Sequence, residues 1–205
     1  MKVLLINGSP HEKGCTYTAL AEVAAALERE GIAAEIMHIG GDVPGCRACG
    51  ACRELGRCVI GDAVNEAAEK AEAADGFVFG APVHYASPNG SMLGFLDRLF
   101  YSAGRTLAFK PGAAVASARR AGTTASLDAL IKYFTISNMP VVSSRYWSMV
   151  HGCTPEQVRE DLEGMQVMRQ LGRNMAWLLK SIDAGRRAGI LMPETETPVF
   201  TSFIR

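Results

Sequence analysis

At 205 residues, 48% hydrophobic and 20% charged, the chain is the length of one domain with its own core. Disorder is excluded, and neither disulfides nor a metal is needed merely to fold. Lys+Arg and Asp+Glu are both 21, so nothing demands a nucleic-acid partner. Residues 76–150 nevertheless hold 7 basic against 2 acidic side chains, a surplus that suits a small anionic ligand.

Val3-Leu4-Leu5-Ile6 is an uninterrupted apolar run, as expected of a strand buried on both faces, and Gly8-Ser9-Pro10 stops it. The run is too short for a signal-peptide core, so a cytoplasmic location is expected. From Thr16 to Glu30, Leu20, Val23, Ala24 and Leu27 recur at helical spacing, and Gly31 ends the helix. Residues 33–39 read as a second strand. Residues 63–74 read as a second helix, with Asp62 as N-cap. A third strand covers residues 76–80, a third helix 91–102, a fourth strand 112–117 and a fourth helix 124–137. Pro140-Val141-Val142 opens a fifth strand. Thr154 then caps a long helix over about 155–185. Its stripe is Val158, Leu162, Met165, Met168, Leu171, Met175, Leu178 and Ile182. No run of about 18 apolar residues exists, so no membrane-spanning helix is expected.

Five strands alternating with helices imply a parallel sheet with right-handed crossovers. Ligands of such sheets sit beyond the strand C-terminal ends. That singles out the loops after Asn7, Gly80 and Ser117.

The first loop, Gly8 to Thr18, joins glycines and hydroxyls to a helix N-terminus, the elements of a phosphate cradle. It is neither a Walker A loop nor Gly-x-Gly-x-x-Gly. It also lacks the Cys-x5-Arg of low-molecular-weight phosphatases, because residue 21 is Ala21. A plain Ser/Thr-capped turn is the alternative.

Four cysteines, Cys46, Cys49, Cys52 and Cys58, crowd a Gly-rich loop between the second strand and second helix. Zinc ribbons separate their Cys pairs by about 15–20 residues. The x2 steps here are closer to the compact spacing of ferredoxins. Arg47, Arg53 and Arg57 surround the thiols, which also suits a redox-active loop without a cofactor. A cluster, a cofactor-free cysteine loop and zinc all remain open.

The stretch Ala81-Pro82-Val83-His84-Tyr85-Ala86-Ser87-Pro88-Asn89-Gly90-Ser91, continuing to Asp97-Arg98, resembles the flavodoxin-like NADPH-dependent FMN reductases and their relatives, the iron–sulfur flavoproteins. Gly8-Ser9-Pro10-x3-Gly14, the cysteine loop and Ser117–Thr123 extend the resemblance over residues 1–145. His84 stands where the family usually has Tyr, and His11 where it usually has Arg.

The resemblance implies one FMN-binding domain over residues 1–205, with a Cys-rich loop at 45–60. The implied fold is a flavodoxin-like, doubly wound, five-stranded parallel sheet in the order 2-1-3-4-5, with helices on both faces. Ser9, His11, Gly14, Cys15, Thr16 and Thr18 would hold the phosphate. Pro82, Val83, His84, Tyr85, Ala86 and Ser87 would wrap the flavin ring. Ser117, Arg119, Arg120 and Gly122 would line its polar edge, with one of the two arginines expected to serve the ligand. Cys46, Cys49, Cys52 and Cys58 would hold a [4Fe–4S] cluster if one is present.

The expected activity passes electrons from NAD(P)H through FMN to a flavin, quinone or nitro-aromatic acceptor. No separate dinucleotide domain is visible, so the nicotinamide must share an open cleft with the flavin. No catalytic residue can be named. His84 and Tyr85 lead for substrate stacking, followed by Trp147 and His151. Alternatives are an iron–sulfur electron carrier served by ferredoxin and a non-enzymatic thiol or metal sensor. The long final stripe, with Trp147, Met149 and Trp177, predicts a homodimer or homotetramer.

Overall fold

The computed structural model describes residues 1–203. Strands β1 (Lys2–Asn7), β2 (Ala33–His38), β3 (Gly76–His84), β5 (Gly112–Ala118) and β6 (Met149–His151) form a parallel sheet in the order β2-β1-β3-β5-β6. Counting these five alone, this is the expected 2-1-3-4-5 order. A sixth, two-residue strand β4 (Ser87–Pro88) pairs antiparallel with the end of β3.

The central strands are apolar on both faces, and their side chains alternate between two cores. Leu4, Ile6, Phe77, Phe79, Ala114 and Ala116 pack with helices α3 (Ala63–Ala73), α4 (Gly90–Leu107) and α5 (Thr123–Ile136). Val3, Leu5, Val78, Ala113 and Val115 pack with α1 (Cys15–Arg29), α6 (Pro155–Glu160) and α7 (Leu162–Arg187). Asp62 caps α3 as expected, accepting from Val64 N at 3.1 Å. A short helix α2 (Cys52–Leu55) lies inside the cysteine loop. No helix among the described residues is long and apolar enough to cross a membrane.

Three expectations need correction. The third strand does not stop at Gly80 but runs to His84, because Ala81 and Pro82 still pair with Ala116 and Ser117 and then Val83 and His84 pair with β4. The fifth strand does not develop at Pro140. Val141 makes only an isolated bridge to Gly112, and regular pairing begins at Met149 opposite Ala116. Four steps along β5 thus face eight along its partner. The surplus residues loop out onto α7, where Ser144 Oγ donates to Val167 O at 2.7 Å and Asn174 Nδ2 to Ser143 O at 2.8 Å.

The final helix is not continuous either. Asp161 leaves the helical region (φ −73°, ψ 77°). Its carboxylate caps a new helix through Gly164 N at 2.9 Å and accepts from His151 N at 2.7 Å. Most of the apolar stripe is satisfied within the chain: Val158, Met165, Met168, Leu171 and Met175 are core, whereas Leu162 is exposed. Most of the stripe therefore serves this chain's own core.

Helix α7 lies close against α1 at Gly172. A Cβ there would stand 2.7 Å from Ala26 Cβ and 2.8 Å from Val23 O. Backbone cannot yield as a side-chain tip does. Gly172→Val should destabilise the protein by about 2–3 kcal/mol through overpacking, read as a lower urea midpoint at unchanged slope.

Candidate functional site

The C-terminal ends of β1, β3, β5 and β6 meet at one edge of the sheet. The turn after β1 is built by Asn7, which is fully buried. Its Oδ1 accepts from Ser9 N at 3.1 Å and its Nδ2 donates to Glu12 O at 3.0 Å. This is an Asx-turn, locked from both sides. His38 Nε2, from the end of β2, lies 2.8 Å from Ser9 O. Asn89 Nδ2, at the start of α4, donates to Gly8 O at 2.7 Å. The loop's own hydroxyl then accepts, with His11 N 3.1 Å from Ser9 Oγ.

Helix α1 starts at Cys15 behind Gly14, with no side-chain cap and no acidic residue in its first turn. Its leading N–H groups and the positive end of its dipole are thus left to a ligand. Two buried hydroxyls lie alongside: Ser9 is 4% and Thr16 1% exposed. Thr16 Oγ1 lies 2.8 Å from Ser117 Oγ, which ties the first loop to the end of β5. These groups fit a terminal phosphate.

A cleft of about 160 Å³ opens over this edge. Of the residues singled out from sequence, Ser9, His11, Cys15, Thr16, Pro82, Val83, His84, Ser117 and Arg119 line it. Gly14 and Thr18 do not. They stand behind the loop, where Thr18 Oγ1 donates to Gly14 O at 3.2 Å. Arg120 is exposed and outside the lining, while its neighbour Arg119 is in it. Burial first, then the nearby Cys153 and Glu156, pushes the Cys15 thiol above its ordinary value against a backbone hydrogen bond that lowers it. Cys15 Sγ instead donates to Gly152 O at 3.6 Å. A thiol held this way is a poor nucleophile.

Tyr85, Ala86 and Ser87 also fall outside the cleft lining. With His84 they make a two-residue hairpin, with His84 paired to Ser87. Its two corner residues both have positive φ, 49° at Tyr85 and 62° at Ala86. Asn-Gly would be the relaxed choice there. Holding Tyr and Ala left-handed costs roughly 1–2 kcal/mol each. Tyr85 is fully exposed at the tip. Gly122 (φ 91°) makes room for this hairpin, since a Cβ there would lie 2.6 Å from Ala86 Cα. Gly122 therefore shapes the hairpin from behind rather than lining the cleft. Trp147 stands apart on the looped-out segment against Tyr146, and His151 is half-buried beside Asp161.

All four loop cysteines, Cys46, Cys49, Cys52 and Cys58, line a second cavity of about 220 Å³. Every thiol is free. Arg98 Nε donates to Cys58 Sγ at 3.2 Å, and Cys52 Sγ to Tyr101 O at 3.7 Å. Left-handed residues at Ala48, Gly50 and Gly56 turn the loop around the cavity. Among the described residues no three His, Cys, Asp or Glu side chains converge on one ion. A single zinc would need its thiolates within about 2.3 Å. A four-iron cluster is a larger body that takes one thiolate at each corner, and four thiols around one cavity suit that donor set.

Sequence reasoning passed over Asn7, His38, Asn89 and Gly152. Asn7 had a signal, an Asn two residues ahead of a Ser at a strand end. Gly152 and His38 had none, because only the fold brings them to the loop. Asn89 Oδ1 is the one buried side-chain polar atom without a partner among the described residues, an omission worth about 1–3 kcal/mol.

The family model described as NADPH-dependent FMN reductase matches residues 1–153. An iron–sulfur flavoprotein of Methanocaldococcus jannaschii is 31% identical over 191 residues, covering 89% of this chain and 99% of that one. The iron–sulfur flavoprotein of Methanosarcina thermophila is 31% identical over 192 residues, covering 91% and 99%. Among solved structures, RosB with bound 8-demethyl-8-formylriboflavin-5'-phosphate has a TM-score of 0.70 at 13% identity, over 99% of this chain and 92% of that one. The NAD(P)H:quinone oxidoreductase from Methanothermobacter marburgensis has a TM-score of 0.62 at 18% identity, over 85% and 96%. The two solved structures share the fold. The family match and the two full-length relatives go further: the chain belongs to the NADPH-dependent FMN reductase family, in company with the iron–sulfur flavoproteins.

Proposed function

We propose that the protein binds FMN at the sheet edge and passes electrons from NAD(P)H to a small oxidised acceptor such as a flavin, quinone or nitro-aromatic compound. The observation that carries this reading is the uncapped, acid-free start of α1 beside the buried hydroxyls of Ser9 and Thr16. Bound FMN would supply the exchange between two-electron and one-electron chemistry.

The chain's own residues supply place and access. Ser9, Thr16 and the leading N–H groups of α1 would hold the phosphate, with Gly14 and Thr18 fixing the loop behind them. Pro82, Val83 and His84 would form one wall of the ring site, and Ser117 and Arg119 its polar edge. The strained hairpin puts Tyr85 in solvent, where its ring is available to stack on an incoming nicotinamide or acceptor. FMN rather than FAD should co-purify. Thr16→Leu should strip it, lowering flavin content at least tenfold while the chain stays folded. Released cofactor that chromatographs as FAD would refute the pocket assignment.

A second reading, an iron–sulfur electron carrier served by ferredoxin, is favoured by the four thiols around one cavity and by the two relatives' names. In that reading Cys46, Cys49, Cys52 and Cys58 ligate a [4Fe–4S] cluster. Cys52→Ala should then lose iron and sulfide but keep FMN. Reduction by ferredoxin should fail, and direct reduction by NAD(P)H should survive. Cys153→Ala, outside the loop, is the silent control. Full iron content in Cys52→Ala would show that the ligand set is wrong.

We also propose a cytoplasmic homodimer or homotetramer. The apolar surface that supports this is Trp177 on the outer side of α7 and the segment after it, where Ile190, Leu191, Met192, Val199, Phe200 and Phe203 are all exposed. Sedimentation at micromolar concentration should give a dimer or larger, and a monomer would end the idea.

A further inference from the structure

Arg98 brings a full charge into the interior. It is 2% exposed and lies on α4 against the cysteine loop. A guanidinium has five N–H donors, and here each has an acceptor. Nε donates to Cys58 Sγ at 3.2 Å. Nη1 donates to Pro44 O at 3.3 Å and to Asp62 Oδ2 at 2.6 Å. Nη2 donates to Ile60 O at 3.2 Å and to Asp62 Oδ1 at 2.8 Å. Pro44 precedes the first loop cysteine, and Ile60 and Asp62 follow the last. One side chain thus clasps both ends of the loop.

Asp62 is tied down in turn, because its Oδ1 also accepts from Val64 N. The fork-to-fork pair with Asp62 fixes the guanidinium plane. A buried charge persists only when paired this fully. Carbonyls and a carboxylate would suffice for a clasp that served the fold alone. The donor aimed at sulfur is the part that such a clasp does not need.

We propose that Arg98 is a positioning residue of the cysteine cavity, closing the loop around a bound iron–sulfur cluster and raising that cluster's reduction potential through its hydrogen bond to Cys58. The proposal rests on the cluster reading above. The physical direction follows from charge. Reduction adds an electron to the cluster, and both a buried cation and a donor on a ligating sulfur favour the more negative form. Asp62 offsets much of the net charge but cannot replace the donor. Lys would keep the cation and lose the planar fork.

The test uses anaerobically purified protein, wild type and Arg98→Lys, assayed for iron, acid-labile sulfide, FMN and midpoint potential by EPR-monitored titration. FMN content should not change. Arg98→Lys should make reduction of the cluster about tenfold less favourable, a fall of about 59 mV for one electron. Full cluster occupancy with an unchanged potential would overturn the proposal and leave the cluster reading intact. Wild type free of iron and sulfide would overturn both. If Arg98→Lys loses its cluster, the wild type decides. With ¹⁵N-arginine incorporated, pulsed EPR of the reduced cluster should show a ¹⁵N coupling, and its absence would overturn the proposal.

Discussion

Val3 and Leu5 face one helical layer while Leu4 and Ile6 face the other, and β3 and β5 repeat the alternation. Both faces of the sheet are therefore sealed. Polar backbone can meet a ligand only where strands end, and the parallel arrangement brings four C-terminal ends to one edge. Everything that looks functional in the first cleft hangs from that edge. Asn7 is the last residue of β1, Pro82 to His84 close β3, Ser117 and Ala118 close β5, and Gly152 follows β6.

The cleft and the thiol cavity are built on different principles. The cleft is held by secondary structure. Its loop is pinned by Asn7, His38 and Asn89, each from a different element, so its geometry does not wait for a ligand. The thiol cavity is held by a loop with only the four-residue helix α2 of its own, and one buried guanidinium gathers its ends. Helix α4 serves both. Asn89, at its N-cap, reaches Gly8, and Arg98, nine residues on or about 14 Å along the axis, reaches the cysteines. A shift of this helix would be felt in the two sites together.

Two consecutive left-handed residues form the hairpin that follows the cleft wall at His84. Tyr85 and Ala86 occupy positions where Asn-Gly would be relaxed. The strain persists because β4 pairing and the vacancy at Gly122 hold the hairpin shut. An aromatic ring kept in water at the cost of left-handed backbone is a feature that folding alone does not explain.

The order of the elements, the sheet type and the location of the first cleft were legible in the residues. Apolar runs of four to six residues and helical stripes are local signals, and the rule that ligands sit at strand ends needs only the order of elements. The cysteine spacing likewise marked the loop whose four thiols line one cavity. Tertiary contact decided the rest. β3 extends to His84 because β5 offers ladder partners as far as Pro82 and β4 pairs with Val83 and His84, which no run within residues 81–84 reveals. The final helix breaks at Asp161 because its carboxylate serves two backbone donors, one of them on β6. Thr18 and Gly122 stand out in the sequence, but only packing shows where they lie, Thr18 against Gly14 behind the loop and Gly122 against the Ala86 turn. Arg98 belongs to the stretch that carries the family resemblance, but its clasp of the cysteine loop shows only through its partners Pro44, Cys58, Ile60 and Asp62. These lie tens of residues away in sequence and become neighbours only after folding.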